Sequence, residues 1–403
     1  MGRDCVPPGG ISRSGFVDAG STEESLASRS SNLAAAGGLA PGRAPRPPLP
    51  FTPGTFPILL FARRVLDLAP VSWRILITAR TFREVGEAAT KFLKASGAEV
   101  LVPPKLGPLT VPELLPQLPG VDAVLASMDH FKAELLRAPE AASLKMISRW
   151  GVGYDAIDVP AATEQGIMVA YTPGLLNDAV ADYAFSLLLG VARRLAEGHE
   201  SMKQGLWKSA WGHDVHGKSL GLIGCGRIGQ AMAKRARGFD MRILAYDIAP
   251  NAEAEKLGIR FVDLDTLLEQ SDFVSLHASL TPDNRGLLNE TRLRKMKSTA
   301  YLINTARGAL VDEAALVKVL QEGVLAGAAV DAFAVEPLPA DHPLRSTPRL
   351  LLTPHQASFT RETGEKVSMA AAEAIVNAMQ GRRPRWVVDE AVYRSPKLRA
   401  KVQ

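Results

Sequence analysis

One stretch in the middle of the chain constrains the fold more than any other. The apolar run SLGLIG leads into a glycine-rich turn, GCGRIG, and a segment with helical character, QAMAKRARG, follows directly. A second apolar run, MRILAYD, comes immediately after that segment. A strand, a tight turn, a helix and another strand in this order form a βαβ unit, whose two strands are parallel and joined by a right-handed crossover. The chain therefore contains at least one parallel sheet covered by helices.

The same alternation extends to both sides of this unit. The upstream apolar segments are RILITA, AEVLVP, DAVLAS, LKMISRW and GIMVAYTPG, and the downstream ones are SLGLIG, RILAYD, DFVSLHA, AYLINT, AGAAVDAF and RLLLTPH. Helical segments separate most of them, so we expect two α/β domains with parallel sheets of the Rossmann or flavodoxin type. One long helix is predicted to be capped by Asn177 or Asp178 and to continue to Gly205, and a last amphipathic helix follows His355.

Residues 1–70 differ in composition from the rest of the chain. They contain ten prolines, nine glycines and no lysine, and no sustained helical or strand period precedes residue 56. This composition predicts a disordered extension. An organelle transit peptide is an alternative, but the acidic residues of the segment argue against it. A further hypothesis is that the natural protein begins near Val71, so that the segment is not part of it.

Charge and cysteine content exclude several function classes. The formal net charge is +5, and residues 1–70 supply +2 of it because they carry seven arginines and five acids. The remainder is nearly balanced and shows no basic stripe, which argues against a nucleic-acid partner. Only Cys5 and Cys225 are present, far apart in sequence, so a reducing, cytoplasmic location is predicted. No apolar run reaches the ~20 residues that a membrane-spanning helix needs, so no membrane association is expected.

The glycine-rich turn carries the first functional prediction. Gly224, Gly226 and Gly229 form a G-x-G-x-x-G pattern between a strand and a helix, and Asp247 ends the next strand. Glycines at this spacing let backbone amides approach a pyrophosphate at a helix N-terminus, and the acid can accept bonds from ribose hydroxyls. The same carboxylate repels a 2′-phosphate, so NAD is favoured over NADP. The alternative is a tight strand–helix turn without a ligand, and Cys225 is interpreted as a small spacer in the loop.

Charged side chains follow three other predicted strands. Arg307 follows AYLINT, Asp331 and Glu336 follow AGAAV, and His355 follows RLLLTP. Because parallel strands end at the same edge of a sheet, where ligands bind, these groups and the glycine loop are expected to meet. An arginine, a carboxylate and a histidine around a nicotinamide suit the redox chemistry of a 2-keto or 2-hydroxy acid. No H-E-x-x-H motif or cysteine cluster supports a metal site.

The loop SRWGVGYDAID follows another strand and contains Gly151 and Gly153. Their backbone N–H groups can form a nest for a carboxylate, although an ordinary strand–helix loop explains the same sequence. For Arg307, whose charge follows a buried strand, the expected partner is the carboxylate of the substrate and not a group of the protein.

Taken in order, five separated motifs resemble one known family. RWGVGYDAID, GKSLGLIGCGRIG, NTARGALVDEAAL, DAFAVEP and LLLTPH are similar to motifs of the D-isomer-specific 2-hydroxyacid dehydrogenases, over Arg74 to Trp386. The resemblance implies a discontinuous substrate-binding domain, which we assign to residues 71–175 and 355–395. An inserted NAD-binding domain would span residues 176–354. It also implies a homodimer.

The resemblance implies roles for individual residues. Arg307 would clamp the substrate carboxylate and carbonyl, and His355 would be the acid/base catalyst. Glu336 would orient the imidazole ring and favour its charged form. Further contacts implied by the resemblance are the Val152 and Gly153 amides to the carboxylate, the Arg227 and Ile228 amides to the pyrophosphate, Ala306 to the cofactor, and Asp331 to the nicotinamide amide.

Some positions depart from the commonest family pattern. QASFT follows His355, where an apolar residue and a glycine are frequent, so Gln356, Ser358 and Phe359 are expected to reshape the pocket. Ala156 stands where asparagine is common. The substrate therefore stays open between the phosphoglycerate type and the hydroxypyruvate or glyoxylate type. An NAD(H)-sensing, corepressor-like binding protein of the same fold is the alternative function.

Overall fold

The computed structural model describes residues 72–403, and the predictions for residues 1–70 and for a start at Val71 lie outside the described residues. The described part contains twelve strands: β1 Arg74–Ile77, β2 Glu99–Leu101, β3 Ala123–Ala126, β4 Met146–Arg149, β5 Met168–Ala170, β6 Ser219–Ile223, β7 Arg242–Tyr246, β8 Ile259–Phe261, β9 Phe273–Leu276, β10 Tyr301–Asn304, β11 Gly327–Val330 and β12 Leu350–Leu352. It also contains thirteen α-helices: α1 Arg80–Val85, α2 Glu87–Ala95, α3 Val111–Leu114, α4 Ala133–Arg137, α5 Val159–Glu164, α6 Asn177–Ala192, α7 Leu195–Lys203, α8 Arg227–Arg237, α9 Ala252–Glu255, α10 Leu264–Gln270, α11 Glu290–Leu293, α12 Glu313–Gln321 and α13 Arg361–Met379.

The first five strands form one parallel sheet in the order β2-β1-β3-β4-β5, which is the flavodoxin-like order. The central strands β3 and β4 are buried along their whole length because helices cover both faces. The last helix, α13, returns to this sheet from the far end of the sequence. Its buried residues pack in one cluster with Ile75 and Leu125, and Ser148 Oγ donates a 2.9 Å hydrogen bond to the Ala371 carbonyl.

The other seven strands form a second parallel sheet in the order β12-β11-β10-β9-β6-β7-β8. The order reverses between β6 and β9, and a reversal of this kind opens a crevice at the carboxyl ends of the strands. The prediction of two parallel-sheet α/β domains is therefore confirmed. Strand β8 was not predicted. It has only three residues at the sheet edge, and Arg260 in its middle is exposed, so the apolar pattern is too short to detect.

Two predicted helices are interrupted in the structure. The long helix starts at Asn177 itself, with no side-chain cap, and ends at Ala192 because Arg194 has a left-handed backbone (φ 52°) before α7 begins. The segment after β1 likewise divides at Gly86 into α1 and α2. Within residues 72–403, even the apolar α6 is too short to cross a membrane, and no other helix combines the length and hydropathy required.

Candidate active site

The carboxyl ends of the two sheets enclose one cavity of about 1170 Å³. Residues from both sheets line it, and they include seven of the thirteen site residues predicted from the sequence: Val152, Gly153, Ile228, Ala306, Arg307, Glu336 and His355. The other six are not part of this lining: Gly224, Gly226, Arg227, Gly229, Asp247 and Asp331. The parallel topology thus brings together side chains that are up to about two hundred residues apart in the chain, as expected for strand ends at a common edge.

His355 is held by a carboxylate at the floor of this cavity. Its Nδ1–H donates to Glu336, at 2.7 Å from Oε2 and 2.9 Å from Oε1, and the Phe333 amide donates to the same Oε1 at 2.9 Å. Burial raises the pKa of Glu336, but the hydrogen bond and charge of His355 outweigh burial and leave the pKa below its ordinary value. With Nδ1 engaged, Nε2 is the ring nitrogen of His355 that remains for a ligand.

Asp331 fixes the loop that carries His355. Its fully buried carboxylate accepts hydrogen bonds from Thr353 Oγ1 (2.6 Å) and from the amides of Gln356 (3.0 Å) and Ala357 (2.9 Å). These donors flank His355, whose backbone has a positive φ of 51°. Such a conformation is costly for a residue with a side chain and persists where its surroundings determine it. The contact of Asp331 with a nicotinamide stays a prediction.

Arg307 has a partner within the protein, so the expectation that its partner is only the substrate is wrong. Its Nε donates to Asp155 Oδ1 at 2.9 Å, Nη2 lies 2.9 Å from the same oxygen, and Nη1 donates to the Ala306 carbonyl at 2.8 Å. Burial raises the pKa of Asp155, but the charge and hydrogen bonds of Arg307 outweigh it and keep the pKa below the ordinary value. The pair joins a loop of the first sheet to a loop of the second.

Two glycines allow these loops to interlock. A Cβ at Gly153 would collide with Nη2 of Arg307, so the guanidinium lies directly against the glycine nest after β4. A Cβ at Gly308 would collide with the backbone of Phe333, whose amide holds Glu336. The loop that carries Arg307 therefore packs against both the glycine nest and the loop that carries Glu336. The three loops of the site are in direct contact.

The glycine loop lies between β6 and α8, as its sequence predicts, and β6 borders the switch point of the sheet. Gly224 has φ +91°, and Gly226 is the N-cap of α8 and offers no side chain to the first amides of that helix. A Cβ at Gly226 would meet nothing within 4 Å, so open space lies above those amides. Asp247 accepts hydrogen bonds from the Cys225 amide (2.7 Å) and the Ala249 amide (2.9 Å). Free helix amides with open space beside a carboxylate fit the pyrophosphate and ribose of a dinucleotide.

Cys225 is buried, and burial together with the charge of Asp247 raises the pKa of its thiol to about 11. A thiol with this pKa stays protonated near neutral pH and is a poor nucleophile. This agrees with its interpretation as a spacer in the glycine loop.

Sequence reasoning missed three residues of the site. Asp155 lies in a motif that was noticed but assigned only to backbone amides. Arg149 is buried, donates from Nε to the Gly153 carbonyl (2.8 Å) and from Nη1 to the Trp150 carbonyl, and has a pKa lowered to about 10 by burial and then by the charge of Arg307. His277, after β9, is partly buried, and the loss of solvation lowers its pKa to about 4. The available signal was the same for Arg149 and His277: each stands at the carboxyl end of a predicted strand.

A doubly wound parallel sheet with a glycine loop at its switch point, next to an arginine and a histidine–glutamate pair, defines a nicotinamide-dependent oxidoreductase. Comparisons with known proteins agree. Residues 185–357 match the family described as D-isomer specific 2-hydroxyacid dehydrogenase, NAD binding domain. The chain belongs to the D-isomer-specific 2-hydroxyacid dehydrogenase family. It is an NAD-dependent enzyme that interconverts a D-2-hydroxy acid and its 2-keto acid.

Individual relatives cover most of the described residues. The chain is 44% identical over 319 residues to a glyoxylate reductase of Thermofilum pendens, covering 77% of this chain and 94% of that protein. It is 39% identical over 301 residues to a D-3-phosphoglycerate dehydrogenase of Archaeoglobus fulgidus, covering 74% of this chain but 56% of that protein. The crystal structure of the TT0316 protein from Thermus thermophilus superposes with a TM-score of 0.71 at 42% identity, over 78% of this chain and all of that one.

Proposed function

We propose that the protein reduces glyoxylate or a similarly short 2-keto acid with NADH. The observation that carries the proposal is the placement of Arg307 and the His355–Glu336 pair around one cavity, beside the glycine nest at Gly153. The relatives favour a short substrate over phosphoglycerate. The chain is 44% identical to the glyoxylate reductase and 39% identical to the phosphoglycerate dehydrogenase.

The proposal gives each of these side chains a role. The free N–H groups of Arg307 and the amides of Val152 and Gly153 hold the substrate carboxylate by charge-assisted bonds. His355, through Nε2, protonates the carbonyl oxygen during reduction and takes the hydroxyl proton during oxidation. NAD supplies or accepts the hydride when bound. Glu336 keeps the imidazole oriented, and proton transfer from a positioned group of this kind accelerates a reaction by roughly 10²–10⁴-fold.

The cofactor is held mainly by the second sheet. In this proposal the loop Gly224–Gly229 admits the pyrophosphate to the amides of Arg227 and Ile228, and the Asp247 carboxylate binds ribose hydroxyls. Ala306 and Asp331 border the nicotinamide. The division into residues 71–175 with 355–395 for the substrate and 176–354 for NAD belongs to the same proposal.

A panel of keto acids tests the function. Glyoxylate, hydroxypyruvate, 3-phosphohydroxypyruvate and a bulkier aromatic 2-keto acid are each supplied with NADH, and loss of absorbance at 340 nm is followed. We expect the highest kcat/KM for glyoxylate or hydroxypyruvate. A clear preference for the phosphorylated acid would contradict the short-substrate proposal, and tight NADH binding without turnover of any acid would favour the sensor alternative.

We also propose that the protein is a homodimer in the cytoplasm. Five apolar side chains on α7 and the segment after it are at least half exposed: Leu195, Met202, Leu206, Trp207 and Trp211, the two tryptophans at 90% and 95%. Exposed apolar patches of this kind mark interaction sites, and a second copy is the occupant proposed here. Light scattering on wild-type protein and a Trp207→Ser/Trp211→Ser variant tests it. We expect twice the chain mass for wild type and a lower mass for the variant.

A further inference from the structure

One ion pair crosses the cavity between the two sheets. Asp155 lies in the loop after β4 of the five-stranded sheet, and Arg307 follows β10 of the seven-stranded sheet, 152 positions later. The side chains are only 31% and 19% exposed, so solvent and salt screen their interaction less than that of a surface pair. No element contains both residues, and the contact therefore depends on how the two sheets meet.

The pair leaves a defined part of the guanidinium free. Of the five N–H groups of arginine, Nε–H donates to Asp155 Oδ1 and one on Nη1 donates to the Ala306 carbonyl, while Nη2 lies 2.9 Å from the same Asp155 oxygen as an ion-pair contact. Among the residues that the structure describes, each terminal nitrogen therefore keeps at least one N–H group for a ligand. Two parallel donors are the arrangement that binds a carboxylate in bidentate fashion. The guanidinium also lies against Gly153, so its free donors are next to the amides of the nest.

Asp155 is also placed between two cations. The buried guanidinium of Arg149 lies in the same cavity wall and is destabilised by the charge of Arg307, whereas Asp155 and Asp129 stabilise it. Without the Asp155 carboxylate, Arg149 and Arg307 would repel each other across the nest, and the flexible arginine side chain would lose its orienting partner.

We propose that Asp155 is a positioning residue: it orients Arg307 toward the substrate carboxylate. Because the two residues belong to different sheets, this orientation depends on the contact between the sheets. The inference rests on the proposed function, because it assigns Arg307 to the substrate. Asp155 itself does not touch the reacting atoms. It prepares the free edge of the guanidinium before the substrate arrives, and such preorganisation lowers the cost of binding.

The test separates positioning from a merely structural ion pair. Asp155→Asn is compared with Asp122→Asn, which removes the charge from the partner of Lys145 at the opposite edge of the same sheet (2.6 Å, 15% exposed). We expect Asp155→Asn to raise the KM for glyoxylate about 10–100-fold, with a smaller fall in kcat and unchanged NADH affinity. Asp122→Asn is expected to lower the melting temperature without changing KM. Equal KM values in wild type and Asp155→Asn would overturn the proposal.

A double-mutant cycle tests whether Asp155 acts through Arg307. In an Arg307→Lys background, Asp155→Asn is expected to change KM by less than about twofold, because a lysine has no fork for the carboxylate to aim. Asp155→Glu, which retains the charge, should recover part of the loss. If Asp155→Asn raises KM equally in both backgrounds, Asp155 does not position Arg307.

A binding measurement keeps this proposal separable from the proposed function. Oxamate, an unreactive carboxylate that resembles a 2-keto acid, is titrated into each NADH-loaded variant and followed by NADH fluorescence. Weaker oxamate binding by Asp155→Asn supports positioning even if wild type turns over none of the keto acids, in which case only the proposed function fails. Unchanged oxamate affinity in Asp155→Asn overturns positioning even if glyoxylate is reduced.

Discussion

The two parallel sheets bring different chemistry to one cavity. The seven-stranded sheet supplies side chains: Arg307 follows β10, Glu336 follows β11 and His355 follows β12, three neighbouring strands in register at Asn304, Val330 and Leu352. The five-stranded sheet supplies mainly backbone amides at Gly153 and the carboxylate of Asp155. Groups that must keep fixed mutual distances thus stand on one rigid sheet, whereas substrate recognition is divided between two. Substitutions in the loops of the two sheets should therefore change different kinetic or binding constants.

The largest effect is expected on the seven-stranded side, at the group proposed to carry the proton. His355→Ala should lower kcat by about 10²–10⁴-fold, because positioned proton transfer contributes that much. NADH affinity, measured by fluorescence titration, should not change. His342→Ala is the matched control, since His342 also lies near a glutamate, with Nε2 3.5 Å from Glu313. Near-full activity of His355→Ala would remove it from the acid/base role.

Arg307→Ala is expected to be nearly as damaging but to appear mainly in KM. Removing a partly buried charge that binds an opposite charge costs roughly 2–5 kcal/mol, so kcat/KM for glyoxylate should fall roughly 30- to 4,000-fold. Arg345→Ala is a suitable control, because Arg345 lines the same cavity and, within residues 72–403, donates only to the carbonyls of Leu338 and Pro339. Comparable losses in both variants would show that general charge in the cavity, and not Arg307, binds the acid.

The difference between the sheets also explains what the sequence could predict. Parallel strands follow from the alternation of apolar and helical segments, and each strand end then assigns a residue to the ligand edge. This places Arg307 and His355 in one cavity without any knowledge of contacts, because the sheet itself determines the position. Helix α12 was also predictable, since Asp312 caps it by accepting a hydrogen bond from the Ala315 amide at 3.0 Å.

Contacts between loops could not be predicted in this way. The Asp155–Arg307 pair joins residues 152 positions apart on different sheets, and no periodicity in the sequence encodes such a contact. The clamp of Asp331 on the His355 loop depends on backbone amides that any residue could provide. The break before α7 depends on the left-handed backbone of Arg194, which no local pattern indicates. In each case tertiary packing decided the local structure.

Substitution of two glycines, one after a strand of each sheet, tests whether the sheets bind different ligands. Gly153→Ala places a methyl group against Nη2 of Arg307 and should raise the KM for glyoxylate about 10–100-fold while NADH affinity stays constant. Gly226→Ala places a methyl group in open space above the first amides of α8 and should weaken NADH binding about tenfold. Isothermal titration with NADH and steady-state kinetics measure both effects. If both variants lose the same property, the two sheets do not divide recognition as proposed.

The smallest expected effect concerns the carboxylate behind His355. Glu336→Gln preserves the size of the side chain and one acceptor for Nδ1–H but removes the charge, so kcat should fall only about tenfold. His355 keeps the pKa of Glu336 below its ordinary value. In wild type the Glu336 carboxylate is therefore charged at any pH above the ordinary glutamate pKa, and its contribution is lost only as the pH falls through the lowered pKa. Activity of wild type should therefore not decline through Glu336 near neutral pH.

In Glu336→Gln the imidazole keeps a hydrogen-bond acceptor at Nδ1 but loses the charge-assisted bond to the carboxylate, so the ring is held less firmly. The value of kcat should therefore fall in both directions of the reaction while NADH affinity stays constant, as steady-state kinetics and fluorescence titration measure. Glu313→Gln, which alters the other glutamate–histidine pair, should leave kcat unchanged. A melting temperature that falls together with kcat would mean that Glu336 only supports the fold of the loop after β11.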